Sequence, residues 1–150
     1  MTDRIIVATF KDTDAAYDAA SAIKGLKDSG IARFKLKAGV MVKKDKRGNV
    51  SLLEDRNRPL LGTAVGTAAG ALIGLIGGAP GAAIGAALGA TAGLGGDAIM
   101  AALDSDFVDS VTNEMRSGMT AIVVEADEDS TRAIDDIVAL GGGHVYRQAA

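Results

Sequence analysis

The first part of the chain alternates between short apolar runs and polar stretches, and the pattern predicts a strand, a helix and a β-hairpin. A β-branched run at 5–10 predicts the first strand. The segment that follows repeats apolar residues at helical spacing on one narrow face, Ala16, Ala19, Ala20, Ile23 and Leu26. The alternating segment 34–43 predicts a half-buried strand, and the turn signal at 47–49 predicts that 50–54 returns beside it.

The last third of the chain returns to the same kind of pattern. A polar pair at 104–105 precedes an amphipathic helix that runs to about residue 116. Its apolar side carries Phe107, Val108, Val111 and Met115. A strand is predicted at 120–125, a further amphipathic helix at 130–140 and a last short strand at 143–147.

The order of these elements predicts the fold class. Without the middle of the chain, the order is strand, helix, strand, strand, helix, strand, helix, strand. That order is typical of an α+β fold, and we expect a ferredoxin-like sandwich with its helices on one face of the sheet. Residues 1–59 and 97–150 would together form this domain. Residues 60–96 would be an insertion between the third strand and the second helix.

The inserted segment has a glycine at every fourth position. It carries no charge and holds 12 of the 20 glycines of the chain. The glycines form two series on either side of a turn at Pro80, namely Gly62, Gly66, Gly70, Gly74, Gly78 and then Gly81, Gly85, Gly89, Gly93. Four residues turn an α-helix through about 400°, so each series forms a slowly winding stripe where another backbone can approach closely. The spacing predicts a glycine-zipper helical hairpin whose stripes make helix-packing and oligomerisation contacts.

A helix with so much glycine needs partners. Each glycine costs roughly 1 kcal/mol relative to alanine in a helix interior. A bilayer could offset that cost, and so could the interior of an oligomer. The two arms would measure about 24 and 22 Å, which is short of the roughly 30 Å hydrocarbon core. Three interpretations stay open at this point: a hairpin that enters the membrane, one buried between protein subunits, and one that is intramolecular or disordered.

Charge is divided unevenly between the two ends of the chain. Residues 1–59 hold 13 Lys and Arg against 8 Asp and Glu, while residues 97–150 hold 3 against 11. The halves could neutralise each other within one molecule or between subunits, or the basic side could face an anionic surface. The basic residues before the first arm are candidates for contact with anionic lipid, or form a solvated turn: Lys43, Lys44, Lys46, Arg47, Arg56 and Arg58.

The overall layout resembles a widespread bacterial family of unknown function, whose members are usually labelled predicted membrane or glycine-zipper proteins. The residues that carry the resemblance are Lys37-Ala38-Gly39-Val40, the glycine zipper, Asp104-Ser105-Asp106-Phe107 and the strand 120–124. The resemblance covers nearly the whole chain. It implies membrane association and, through some relatives, a general stress context, and it supplies no catalytic residues.

The sequence offers little for catalysis or for binding a metal or cofactor. The chain has no cysteine, and its only histidine, His144, is expected to have a structural role. The loop 141–143 is interpreted as a helix stop, since no helix follows that could bind phosphate. Asp97 is expected to cap a helical turn, the alternative being a pair with a basic residue of another subunit. A group of carboxylates is expected at a helix start or on a solvated face: Asp127, Glu128, Asp129, Asp135 and Asp136.

These patterns predict a non-enzymatic structural protein that is membrane-associated or self-assembling, with hairpins that pack into a homo-oligomer. The alternatives are a soluble filament- or ring-forming scaffold that buries the hairpin between subunits, and a small-ligand or lipid-binding sensor anchored by the hairpin. The expected partners are other copies of the chain and, as a candidate, membrane lipid. A net charge of -3 and few aromatic residues argue against nucleic acid. No cofactor is expected, and the expected location is the cytoplasmic side of the inner membrane or the cytoplasm.

Overall fold

The structure, a computed structural model, describes residues 2–29, 34–53, 76 and 103–149. These residues form an α+β fold of five strands and three helices, which confirms the predicted class. In chain order the elements are β1 Thr2–Phe10, α1 Thr13–Ser29, β2 Phe34–Lys44, β3 Val50–Leu52, α2 Ser105–Glu114, β4 Thr120–Glu128, α3 Arg132–Leu140 and β5 His144–Ala149. All eight predicted elements are present, with ends that differ by a few residues.

The strands form one antiparallel sheet in the order β3-β2-β4-β1-β5. Strand β4 is central and pairs with β1 along its whole length, from Phe10 opposite Thr120 to Thr2 opposite Glu128. Its other edge pairs with β2. Because both neighbours stabilise it, β4 extends three residues beyond the predicted end at 125. The N-terminal and C-terminal parts of the chain are therefore joined in a single sheet.

Helices α1 and α3 cover one face of the sheet. The apolar residues predicted for α1 lie in this core, and only Leu26 is partly exposed. The other buried members of this cluster are Ile6, Ala8, Phe10, Met41, Ile122, Val124, Ala126, Ile134 and Val138. Helix α1 begins at a cap, where the Asp12 carboxylate accepts a hydrogen bond from the Asp14 N–H at 3.1 Å.

Helix α2 lies on the opposite face of the sheet, so the prediction that all helices share one face is wrong. The reason is the continuous apolar run at 5–8 in β1. Successive strand residues point to opposite faces, and each of these four side chains is almost fully buried. A strand that is apolar on both sides needs cover on both sides, as in the fully buried strands of larger sheets.

The loop between α3 and β5 requires glycine for two separate reasons. Gly142 has a φ of +73°, a conformation that side chains disfavour. A Cβ at Gly143 would lie 2.6 Å from the Thr9 carbonyl oxygen and 2.8 Å from both Phe10 Cε1 and Val138 Cγ1. The loop 141–143 is therefore a helix stop that allows β5 to approach β1 closely.

We expect Gly143→Ala to destabilise the fold by about 1–3 kcal/mol, because the added methyl group meets backbone that cannot move aside. Gly25→Ala is the matched control. A Cβ there meets nothing within 4 Å, and alanine should stabilise α1 by about 0.5–1 kcal/mol. Urea unfolding of both variants measures the difference, and equal midpoints would contradict this account of the loop.

Candidate hairpin-docking face

The face of the sheet that α2 covers also binds Ile76, the one described residue of the predicted glycine hairpin. Ile76 is helical and only 4% exposed. It belongs to a single core cluster whose other buried members are Ile5, Val7, Ala38, Val40, Val42, Val50, Leu103, Phe107, Val111, Met115, Met119, Ala121 and Val123. Burying an isoleucine side chain contributes roughly 1.5–3 kcal/mol, so Ile76 adds to the stability of this core.

The cluster extends across the whole width of the sheet. Helix α2 makes its main strand contacts with β5, at one edge. Residues of β2 and β3 near the other edge, including Val42 and Val50, are nevertheless buried in the same cluster as Ile76. The hairpin-docking face therefore runs from β3 to β5, and Ile76 shares it with α2.

Helix α2 packs on this face because its apolar residues lie on one side. Phe107 and Val111 are buried on the helix, and Met115 is buried just after it. Asp104 caps the start by accepting a hydrogen bond from the Asp106 N–H at 3.1 Å. The helix ends at Glu114, two residues before the predicted end, because Arg116 begins a turn in which its carbonyl accepts from the Met119 N–H at 3.0 Å.

Alternate residues of β5 hold both ends of α2. The Gln148 Oε1 atom accepts a hydrogen bond from the Asp104 N–H at 2.7 Å, at the start of the helix. At its end, the Glu114 carboxylate accepts a hydrogen bond from the Tyr146 hydroxyl and lies 3.9 Å from His144 Nε2. His144 is 67% exposed and contacts the end of a helix across the sheet edge, so the structure places it in a packing contact.

The surroundings of the Tyr146 hydroxyl shift its pKa. Desolvation by burial is the main cause, and the negative charge and hydrogen bond of Glu114 add to it. All three disfavour the phenolate and raise the pKa of Tyr146 above its usual value of about 10.

A second polar network lies at the end of the sheet where β4 finishes. Glu128 is 3% exposed and accepts hydrogen bonds from Arg4 Nη1 at 3.0 Å and Arg147 Nε at 2.7 Å. Arg147 also donates to Asp135 Oδ1 at 2.7 Å. Burial lowers the pKa of Arg147, but its bonds to the two carboxylates outweigh burial and raise it. The expectation that Glu128 lies on a solvated surface is wrong, because β4 extends far enough to place it between two arginines.

Two ion pairs connect the basic N-terminal part of the chain to the acidic C-terminal part. Besides Arg4–Glu128, Lys37 Nζ lies 3.7 Å from Asp127 Oδ2. The two halves therefore neutralise each other in part within one molecule. Sequence reasoning missed these pairs, because they depend on the register of β4 against β1 and β2.

The structure describes some of the other predicted site residues, and the rest lie outside the described part of the chain. Lys43 and Lys44 are half-buried at the end of β2, and Lys46 and Arg47 are exposed in the turn to β3. The remaining predicted residues lie outside the described part of the chain: Arg56, Arg58, Asp97, Pro80 and the nine glycines Gly62, Gly66, Gly70, Gly74, Gly78, Gly81, Gly85, Gly89 and Gly93.

No family model, curated protein or solved structure matches this chain. Within residues 2–29, 34–53, 76 and 103–149, no three acidic or histidine side chains gather as a metal site would require. In the same residues, no helix has both the length and the apolar character needed to cross a bilayer.

We expect Ile76→Ala to lower the free energy of unfolding by about 2–5 kcal/mol, because it leaves a cavity in the hairpin-docking face. Leu140→Ala, at a side chain that is 91% exposed on α3, serves as control and should change it by less than about 0.5 kcal/mol. Urea unfolding followed by far-UV circular dichroism compares them. Equal stabilities of the two variants would mean that Ile76 does not support the sandwich.

The raised pKa of Tyr146 makes a contribution to stability that is intact below pH 10 and is lost as the pH rises through the higher folded-state pKa. In a Tyr17→Phe background, the ultraviolet absorbance of the phenolate reports Tyr146 alone, since the chain has two tyrosines. Glu114→Gln should move the titration down towards the usual value, but not fully, because burial remains. An unchanged phenolate titration curve would exclude a role for Glu114 in raising the pKa of Tyr146.

Proposed function

We propose that this chain is a non-enzymatic, self-assembling structural protein. Its sandwich binds one side of a glycine-zipper hairpin, and the glycine stripes on the other side pack against hairpins of further copies. The observation that supports this proposal is the burial of Ile76 in the hairpin-docking face. In this proposal the contact at Ile76 attaches the hairpin to the sandwich, and the other side of the hairpin is left for further copies.

Helix geometry would put two of the glycines, Gly74 and Gly78, on the side opposite Ile76. Residues of an α-helix are about 100° apart around the axis, so positions two residues from Ile76 lie about 160° away from it. Gly74 and Gly78 occupy those positions. Leu72 and Ile73, by contrast, lie within about 60° of Ile76. A regular helix through Ile76 would thus carry Leu72 and Ile73 on the side of Ile76, and Gly74 and Gly78 on the opposite side.

A glycine side favours protein neighbours over lipid. Glycine presents little apolar surface to a bilayer, whereas a second helix can pack closely against its exposed backbone. Leu72 and Ile73, whose side chains would favour insertion, would lie on the side of the sheet. Assembly with the hairpin buried between subunits, as a ring or a filament, is therefore the form of the function that we favour over a membrane-inserted hairpin.

We also propose that the sandwich is a variant of the ferredoxin-like fold. Leaving out β3 and α2, the described elements read βαββαβ, and the strands lie in the order β2-β4-β1-β5. An alternating order of this kind, with α1 and α3 on one face, supports the assignment. Strand β3 and helix α2 flank the hairpin in sequence, so the departures from a plain βαββαβ unit lie where the hairpin is attached.

The test of assembly is the combined variant Gly74→Leu/Gly85→Leu. Two leucine side chains would hold the neighbouring helices apart, and we expect self-association to weaken at least about tenfold, which corresponds to about 1.4 kcal/mol. Size-exclusion chromatography with light scattering in plain buffer measures the mass over a range of concentrations. Circular dichroism of the same samples verifies that the sandwich stays folded.

The matched control is Gly74→Ala/Gly85→Ala, which keeps the stripes small and favours the helix. It should assemble as the parent does. A parent protein that is monomeric at every concentration, or a leucine variant of parental mass, would contradict the proposal. Assembly that occurs only with detergent or vesicles would favour the membrane-inserted hairpin instead.

A further inference from the structure

Two loops that are far apart in sequence meet at one corner of the sandwich. The Lys44 N–H donates to the Met119 carbonyl at 3.0 Å, and the Gly118 N–H donates to the Lys44 carbonyl at 2.6 Å. These bonds fix the loop between α2 and β4 beside the β2–β3 turn. Arg116, an exposed residue of that loop, is thereby brought to the basic end of β2.

The result is a cluster of five cations, here called the basic corner: Lys43, Lys44, Lys46, Arg47 and Arg116. Within the described residues, none of the five forms a salt bridge. Asp45, the acidic residue in the turn, uses its Oδ1 atom to accept from the Arg47 and Asn49 N–H groups at 2.8 and 2.9 Å. The protein has a net charge of -3, so a basic cluster is contrary to its overall charge.

Other cations of the same protein are paired with carboxylates. Arg4 and Arg147 bind Glu128, and Lys37 faces Asp127. Acidic residues exceed basic ones in the chain, so this basic cluster is not a consequence of composition. Three of its members, Lys46, Arg47 and Arg116, are exposed in the β2–β3 turn and in the loop beside it, where a charged surface can reach them.

We propose that the basic corner docks on the headgroups of an anionic phospholipid surface. Clusters of about four to eight Lys and Arg bind such surfaces, each cation contributing favourably within a Debye length. A nucleic-acid partner fits less well, because nucleic-acid-binding domains are basic overall and this chain is acidic and poor in aromatic residues. The contact is peripheral and electrostatic, and it does not require hairpin insertion or self-assembly.

The test is sedimentation of the full-length protein with vesicles of phosphatidylcholine alone or mixed with phosphatidylserine. We expect binding only to the phosphatidylserine vesicles, and weaker binding as salt is raised. The variant Lys46→Glu/Arg47→Glu should bind at least about tenfold more weakly. Arg116→Glu alone should also weaken binding. If the cations of the β2–β3 turn bound the vesicles by themselves, this variant would have no effect.

The control is Lys35→Glu/Arg132→Glu, which makes the same change in net charge at exposed positions outside the corner. It should bind as the parent does. Equal binding to both kinds of vesicle, absence of binding, or equal loss in control and corner variants would overturn the proposal.

Light scattering without vesicles is measured in parallel. A corner variant that loses self-association but keeps vesicle binding would overturn it in favour of contact with a second copy, and assembly without vesicle binding would leave only the proposed function standing.

Discussion

The burial of both faces of β1 and β4, two of the three inner strands, is the constraint on which the rest of this structure depends. Strands β1 and β4 carry apolar side chains towards both sides of the sheet, and nearly all of them are buried. Two layers of cover are therefore needed. Helices α1 and α3 provide one layer, and α2 with Ile76 contributes to the other. Burial of Ile76 is thus part of how this face of the sheet is kept from water.

Much of the fold could be predicted from the sequence, because local periodicity decides it. The alternation in β2, the narrow alanine face of α1 and the apolar side of α2 each predict an element that the structure contains. The side of the sheet on which α2 lies could not be predicted in the same way. The uninterrupted apolar run in β1 indicated burial on both faces, and it was the signal that could have corrected the expectation of helices on one face only.

The polar contacts were harder to predict because they depend on register. Glu128 becomes a buried acceptor because β4 continues beyond its most apolar part and ends between Arg4 and Arg147. Arg116 joins the basic corner through two backbone hydrogen bonds between loops about seventy residues apart. Neither of these contacts can be predicted from the local spacing of hydrophobic residues. The burial of Ile76 also could not be predicted from local pattern, because the residues of its core cluster come from every strand of the sheet.

The position of β4 in the chain has a consequence for the order in which the molecule is made. The surface that receives Ile76 includes Ala121 and Val123 of β4, which follow it in sequence by more than forty residues. On the ribosome, the glycine segment therefore emerges before the central strand of its own docking face exists. Pairing of β1 with β4 is also of high contact order and correspondingly slow. During that interval, Ile76 lacks the β4 side chains of the core in which it is buried in the folded chain. Translation speed downstream of the segment therefore sets how long Ile76 stays exposed to water during synthesis.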